Sequence, residues 1–262
     1  MRGVPGTRIW RRASVEVVEW SKDVSAASWI VDRLHPFASD LGSIVPEGFE
    51  AYARVLHPAW REESDRRVKV RWSQLARTAG VTLQSTTRFE QLEVSAASHD
   101  AEEPRVGTLE LEQLNVLVEL LASFTTTAQS CWFGVWEGYG WMHGPPATVR
   151  LVAHPPGPGM SSAPPMPEWD LPDPPPPGPR MQIPGRALVL YSGPIEAATA
   201  FCDFPALQSP NLWWPHDRAW CVATEIDFRS TYLGAARGLI DRVLNDERLE
   251  ALPAQLGDHF TD

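Results

Sequence analysis

At 262 residues with 43% hydrophobic side chains, the chain holds enough apolar material to bury a substantial core without cross-links. Its formal net charge of −10 opposes nucleic acid and anionic lipid as partners and favours a protein partner of basic character. The three cysteines, Cys131, Cys202 and Cys221, are odd in number and far apart, which suggests neither a disulfide framework nor a paired-cysteine zinc site and predicts buried, reduced thiols.

The segment after Arg11-Arg12 is broken by Glu16 and Glu19 before an apolar export signal can develop, and no run of about eighteen apolar residues follows. A cytoplasmic protein with no membrane association is expected. Residues 46–57 carry Pro46 and Glu47 at a helix start and Phe49, Tyr52, Val55 and Leu56 at helical spacing, so a helix ending at His57-Pro58 is predicted. Residues 66–72 alternate cations with apolar groups as a strand does, with Glu62, Glu63 and Asp65 diluting any phosphate-binding field. Ser73 and Gly80 bound a short helix. Thr108 is read as the N-cap of a longer one, with its apolar stripe at Leu111, Leu114, Leu117, Val118 and Leu121.

Cys131 to Glu137 alternates so that Trp132 and Trp136 share one face of a strand, and Gly138-Tyr139-Gly140 permits a hairpin loop. Fifteen of the 25 prolines then fall in residues 144–184, where regular structure is not expected. That window is read as a proline-rich excursion from one domain spanning 1–262, because the strands on its two sides need each other. Residues 220–228 predict a strand with Trp220, Val222, Thr224, Ile226 and Phe228 on one side and Cys221, Ala223, Glu225 and Asp227 on the other. A final helix over 236–245 carries Leu239, Ile240, Val243 and Leu244 on one stripe. The fold class expected is α+β: a largely antiparallel sheet with helices packed on it, interrupted by the proline-rich loop.

The chemistry concentrates in residues 211–228. Trp213 and Trp214 stand before a tight Pro215-His216-Asp217 segment, where two adjacent rings are not expected both to turn inward, and the carboxylates Glu225 and Asp227 follow on the next strand. Exposed indoles beside acids suit a contact surface. A partner-binding site is therefore expected at Trp213, Trp214, His216, Asp217, Glu225 and Asp227. The alternative is a small-molecule or glycan binder, or a hydrolase with Glu225 and Asp227 as acid and base. No cofactor is expected, and the histidines form no metal pattern, since His-Glu-x-x-His is missing and His35, His57 and His143 adjoin proline or glycine.

The segments 29–37, 55–60, 131–138, 213–227 and 230–234 resemble a family of actinobacterial proteins with no assigned function, so the likeness implies no activity. The Val45-Pro46-x-x-Phe49-x-x-Tyr52 pattern in an acidic, tryptophan-rich chain is similar in style to the Smi1/Knr4-like immunity proteins. That resemblance implies an α+β fold and a toxin-neutralising role. The function expected is thus non-enzymatic protein binding, of an immunity or regulatory kind.

Overall fold

Short runs of alternating or continuous apolar residues, punctuated by Gly, Pro, Asn and Asp, make strands the dominant element of this chain. The structure is a computed structural model and describes residues 8–12, 15–37, 40–92, 101–143, 175, 177–202 and 208–259. In order along the chain these form β1 (Arg8–Arg12), β2 (Val15–Trp20), α1 (Ser28–Val31), β3 (Ala51–Leu56), β4 (Ala59–Glu63), β5 (Arg66–Val70), α2 (Trp72–Ala79), β6 (Ala101–Glu102) and α3 (Leu111–Ala122). Then come β7 (Cys131–Trp136), β8 (Met181–Ile183), β9 (Arg186–Gly193), β10 (Leu212–Pro215), β11 (Trp220–Ala223), β12 (Ser230–Ala235), α4 (Arg237–Asn245) and β13 (Ala251–Ala254).

Ten strands build one sheet in the order β1-β2-β9-β7-β10-β11-β12-β3-β13, with β8 pairing β9. Every pairing in it is antiparallel, so the fold is an α+β arrangement on antiparallel sheets. One face packs against α3, α4 and the 3-10 segment Ile195–Cys202, around Leu117, Leu121, Phe133, Phe201, Trp213 and Trp220. The opposite face is covered by the turn Ser25–Ala27, α1 and the turn Leu41–Ser43, around Trp29, Ile30, Leu41, Leu190 and Trp214. Because both faces are covered, the central strands β10, β11 and β12 are buried at every position. A second, three-stranded sheet, β5-β4-β6, packs with α2 and the turn Phe89–Leu92 around Trp72, Leu75 and Leu92.

The helix starts and stops follow local chemistry. Gly80 ends α2 in the left-handed region at φ 68°, which a residue with a side chain reaches only with strain. At its other end the Glu250 carboxylate accepts the free backbone N–H groups of Trp72 and Ser73, each at 2.7 Å. Thr108 does not cap α3, whose N-cap is Glu110; its hydroxyl instead accepts the Ser209 N–H at 2.8 Å. All three cysteines are buried and free.

Three further expectations are corrected. Residues 46–57 do not form a helix: Ala51–Leu56 is strand β3, held between β12 and β13. The helical spacing of Phe49, Tyr52 and Val55 gave no signal against this. A strand covered on both faces buries consecutive residues, and Tyr52 to Leu56 are all buried. The strand expected over 220–228 ends at Ala223, and Glu225 to Phe228 form a turn closed by Phe228 N–H donating to the Glu225 carbonyl at 3.2 Å. Of the proline-rich window 144–184, residues 144–174 and 176 lie outside the described residues, and its far end is regular after all, since Met181–Ile183 is β8. Strands before and after the window pair directly, β7 with β9 over six residue pairs.

Candidate functional site

β10 lies between β7 and β11, with Trp213 opposite Phe133 on one side and Val222 on the other. Successive side chains on a strand point to opposite faces, so Trp213 enters the helix-covered core and Trp214 the other one. Trp213 stacks on Phe133 with ring centroids 6.2 Å apart and meets the edge of Trp220 at 5.1 Å. Trp214 meets Trp29 edge-on at 6.4 Å. Each indole residue is only 1% exposed. The expectation of an exposed indole pair is thereby overturned: adjacent rings do both point inward when the sheet has a layer on each face.

His216 and Asp217 follow in a turn closed by Arg218 N–H donating to the Pro215 carbonyl at 2.9 Å, with Arg218 at φ 59°. His216 is exposed. The Asp217 carboxylate accepts the Thr125 hydroxyl at 2.8 Å, the Thr126 N–H at 2.7 Å and the Thr126 hydroxyl at 2.9 Å. Partial burial pushes its carboxyl up, but the bonds from Thr126 and Thr125 outweigh that and hold it below the usual carboxylate range. Asp217 therefore clamps one turn to another. An open depression of about 350 Å3 runs past Trp132, His216, Asp217 and Arg218.

Glu225 and Asp227 sit on the turn after β11 and meet at one guanidinium. Arg186 reaches Glu225 Oε1 from Nη2 at 2.9 Å and Asp227 Oδ2 from the same nitrogen at 3.0 Å. The second Glu225 oxygen accepts the Asp227 N–H at 2.6 Å. Burial pushes Glu225 up, opposed by that N–H and by Arg186. The guanidinium lies against the rings of Phe37 at 5.2 Å and Trp136 at 5.9 Å. Beneath them a recess of about 40 Å3, lined by Phe37, Ile44, Trp136, Ile183 and Glu225, has room for a few waters at most. It does not enclose Asp227. The structure thus keeps Glu225 and Asp227 together but puts the indole pair, His216 and Asp217 elsewhere.

A second constellation was not legible from the sequence. Arg54 projects from the middle of β3, is 7% exposed, and lies over the rings of Trp72 at 5.2 Å and Tyr232 at 6.0 Å. Its Nε donates to Ser230 Oγ at 2.9 Å, and its Nη1 to the carbonyls of Ser85 at 2.6 Å and Thr87 at 2.7 Å. Arg54 lines a cavity of about 120 Å3 where the two sheets meet, with Trp72, Phe89, Phe228, Arg229 and Tyr232 among its walls. Reading residues 46–57 as a helix hid this arginine. In a strand covered on both faces, a lone arginine between Ala53 and Val55 is a buried charge that needs an explanation.

Directly after β3, His57 is fully buried. Its Nδ1 stands 2.8 Å from the Arg105 carbonyl and its Nε2 2.9 Å from the Thr231 hydroxyl. A carbonyl only accepts, so Nδ1 carries the proton and Nε2 accepts from Thr231, which in turn accepts from Thr224 at 2.8 Å. The expected turn histidine is instead a neutral link in a buried chain.

Among the described residues no three His, Cys, Asp or Glu side chains converge to hold a metal ion, and no helix is long and apolar enough to cross a membrane. Comparison with protein-family models, curated proteins and solved structures finds no match to this chain.

Proposed function

We propose that this chain is a non-enzymatic protein-binding domain of an immunity or regulatory kind, the toxin-neutralising role being the one that its likeness to the Smi1/Knr4-like proteins implies, and that its contact face is the corner made by Phe37, Arg186 and Asp227. The supporting observation is Phe37, 53% exposed and the most exposed large hydrophobic among the described residues, lying on a guanidinium fixed by two carboxylates. An accessible aromatic ring beside oriented charges is the composition of an interface anchor with a polar rim. Asp227, whose side chain is 70% exposed, offers its free carboxylate edge to a cationic group. The net charge of −10 speeds encounter with a basic partner.

The glycan-hydrolase alternative has less support. An acid and base pair needs one carboxyl protonated and one ionised around a substrate-sized cleft. Here both carboxylates pair with one arginine beside a recess too small for a sugar ring.

The test is a photo-crosslinking residue placed at position 37 of the full chain in cells, followed by titration of the captured protein against the purified wild type, Phe37→Ala and Asp227→Asn. The expected result is affinity at least about tenfold weaker for Phe37→Ala and a wild-type affinity that falls with added salt. Equal affinity for wild type and Phe37→Ala overturns the reading.

A further inference from the structure

The cavity at the junction of the two sheets has an electrostatic imbalance that the fold itself does not resolve. Two acids reach its wall, and each is already matched: Glu90 pairs with Arg229 at 2.7 Å, and Asp227 with Arg186 at 3.0 Å. Arg229 is further paired with Glu103. Arg54 is different. Its three hydrogen bonds go to two carbonyls and a hydroxyl, and no carboxylate among the described residues stands within ion-pair distance. Its Nη2 takes part in none of these bonds.

Withdrawing a guanidinium from water without an anion is unfavourable, and neutral acceptors and ring faces offset only a part of that. Nature of the walls narrows what completes it. Trp72 and Tyr232 lie against Arg54, and Phe89 and Phe228 continue the aromatic lining. A slot with apolar walls and one unused guanidinium nitrogen, Nη2, selects a planar ligand that carries its negative charge at one end. About 120 Å3 is close to the roughly 150 Å3 that holds one benzene ring, so a single ring is the most the cavity takes.

We infer that this cavity is a binding site for a small aromatic carboxylate, with the carboxylate on Arg54 and the ring between Trp72, Phe89, Phe228 and Tyr232. The inference is argued from Arg54 and the aromatic walls and uses neither Phe37 nor the 40 Å3 recess, although Asp227 borders both sites.

The probe is benzoate, titrated calorimetrically into the full chain, with benzyl alcohol as a neutral ligand of the same shape and inorganic phosphate as an anion without a ring. Benzoate is expected to bind saturably, and both controls at least about tenfold more weakly, the loss of one charge-assisted hydrogen-bonded contact. Arg54→Gln removes the charge. Because Arg54 also ties residues 85–87 to the sheet, a second variant, Thr86→Trp, closes the exposed mouth without touching the core. Both variants are expected to abolish benzoate binding. Absence of benzoate binding to the wild type, undiminished binding to folded Thr86→Trp, or equal binding of benzyl alcohol each overturns the inference. Phosphate binding as tightly as benzoate also overturns it, by showing that the ring contributes nothing.

Discussion

Acid should unfold this protein earlier than its carboxylates alone would dictate, because His57 must be neutral in the folded state. Burial, reinforced by the charge of Arg54 and only partly offset by the bond to Arg105, lowers its pKa from 6.5 to about 4. Below about pH 6.5 the unfolded chain takes up a proton that the folded chain refuses until about pH 4. The folded pKa is the lower one, so the stability contribution is complete above pH 6.5 and is lost as pH falls towards 4. Linkage puts the loss at about 2 kcal/mol between pH 7 and pH 5, and about 3 kcal/mol by pH 4. Urea unfolding followed by tryptophan fluorescence at several pH values measures this directly. His57→Gln cannot titrate, so although it is less stable at pH 7, its stability should fall less steeply over the same interval. Parallel pH profiles for wild type and His57→Gln would refute the reasoning.

Other substitutions test other contacts. Trp213→Ala should cost about 4 kcal/mol by thermal or urea unfolding, as an indole deleted from a closed core does, whereas a surface anchor would unfold unchanged. Gly107 has φ 71°, and a Cβ there would stand 2.4 Å from the Ile226 carbonyl oxygen; Gly107→Ala should lower stability by about 3 kcal/mol in urea titrations, and a change below 1 kcal/mol would contradict the geometry. Asp217→Ala removes the acceptor of the Thr125–Thr126 turn, an expected loss of about 2 kcal/mol with faster amide exchange at Thr126. Glu250→Ala uncaps α2, at about 1–2 kcal/mol, read from hydrogen exchange in residues 72–76.

The elements legible in the sequence are those whose environment is one-sided or whose ends carry their own punctuation. α2 is framed by Gly80, α3 and α4 each show one apolar stripe, and β7 alternates, with Phe133 and Val135 fully buried and Trp132 and Trp136 half-buried. Pattern fails where a strand is covered on both faces. There period two vanishes, and Tyr52-Ala53-Arg54-Val55-Leu56 becomes indistinguishable from a buried helix until its partners β12 and β13, some 180 residues later, are known. The same blindness produced the surface reading of Trp213 and Trp214. Of the expected site, Glu225 and Asp227 do stand together, but on a turn and through a shared arginine, not by the strand alternation that their spacing suggested. The arginine that joins them was not legible, since Arg186 lies 39 residues upstream on another strand. Arg54 and its cavity depend on contacts between β3, residues 85–87 and β12, which no local pattern encodes.

The placement of β3 between β12 and β13 also constrains how the chain acquires its shape during synthesis. As a ribosome extrudes the polypeptide from its N-terminus, residues 51–56 emerge long before either neighbour exists. The sheet cannot close until residues 251–254 have been translated, and its backbone amides must wait in water or in temporary pairings. Such distant pairing makes for slow maturation. A nascent chain arrested before residue 230 should therefore be sensitive to protease and in need of a chaperone, while the released chain resists digestion.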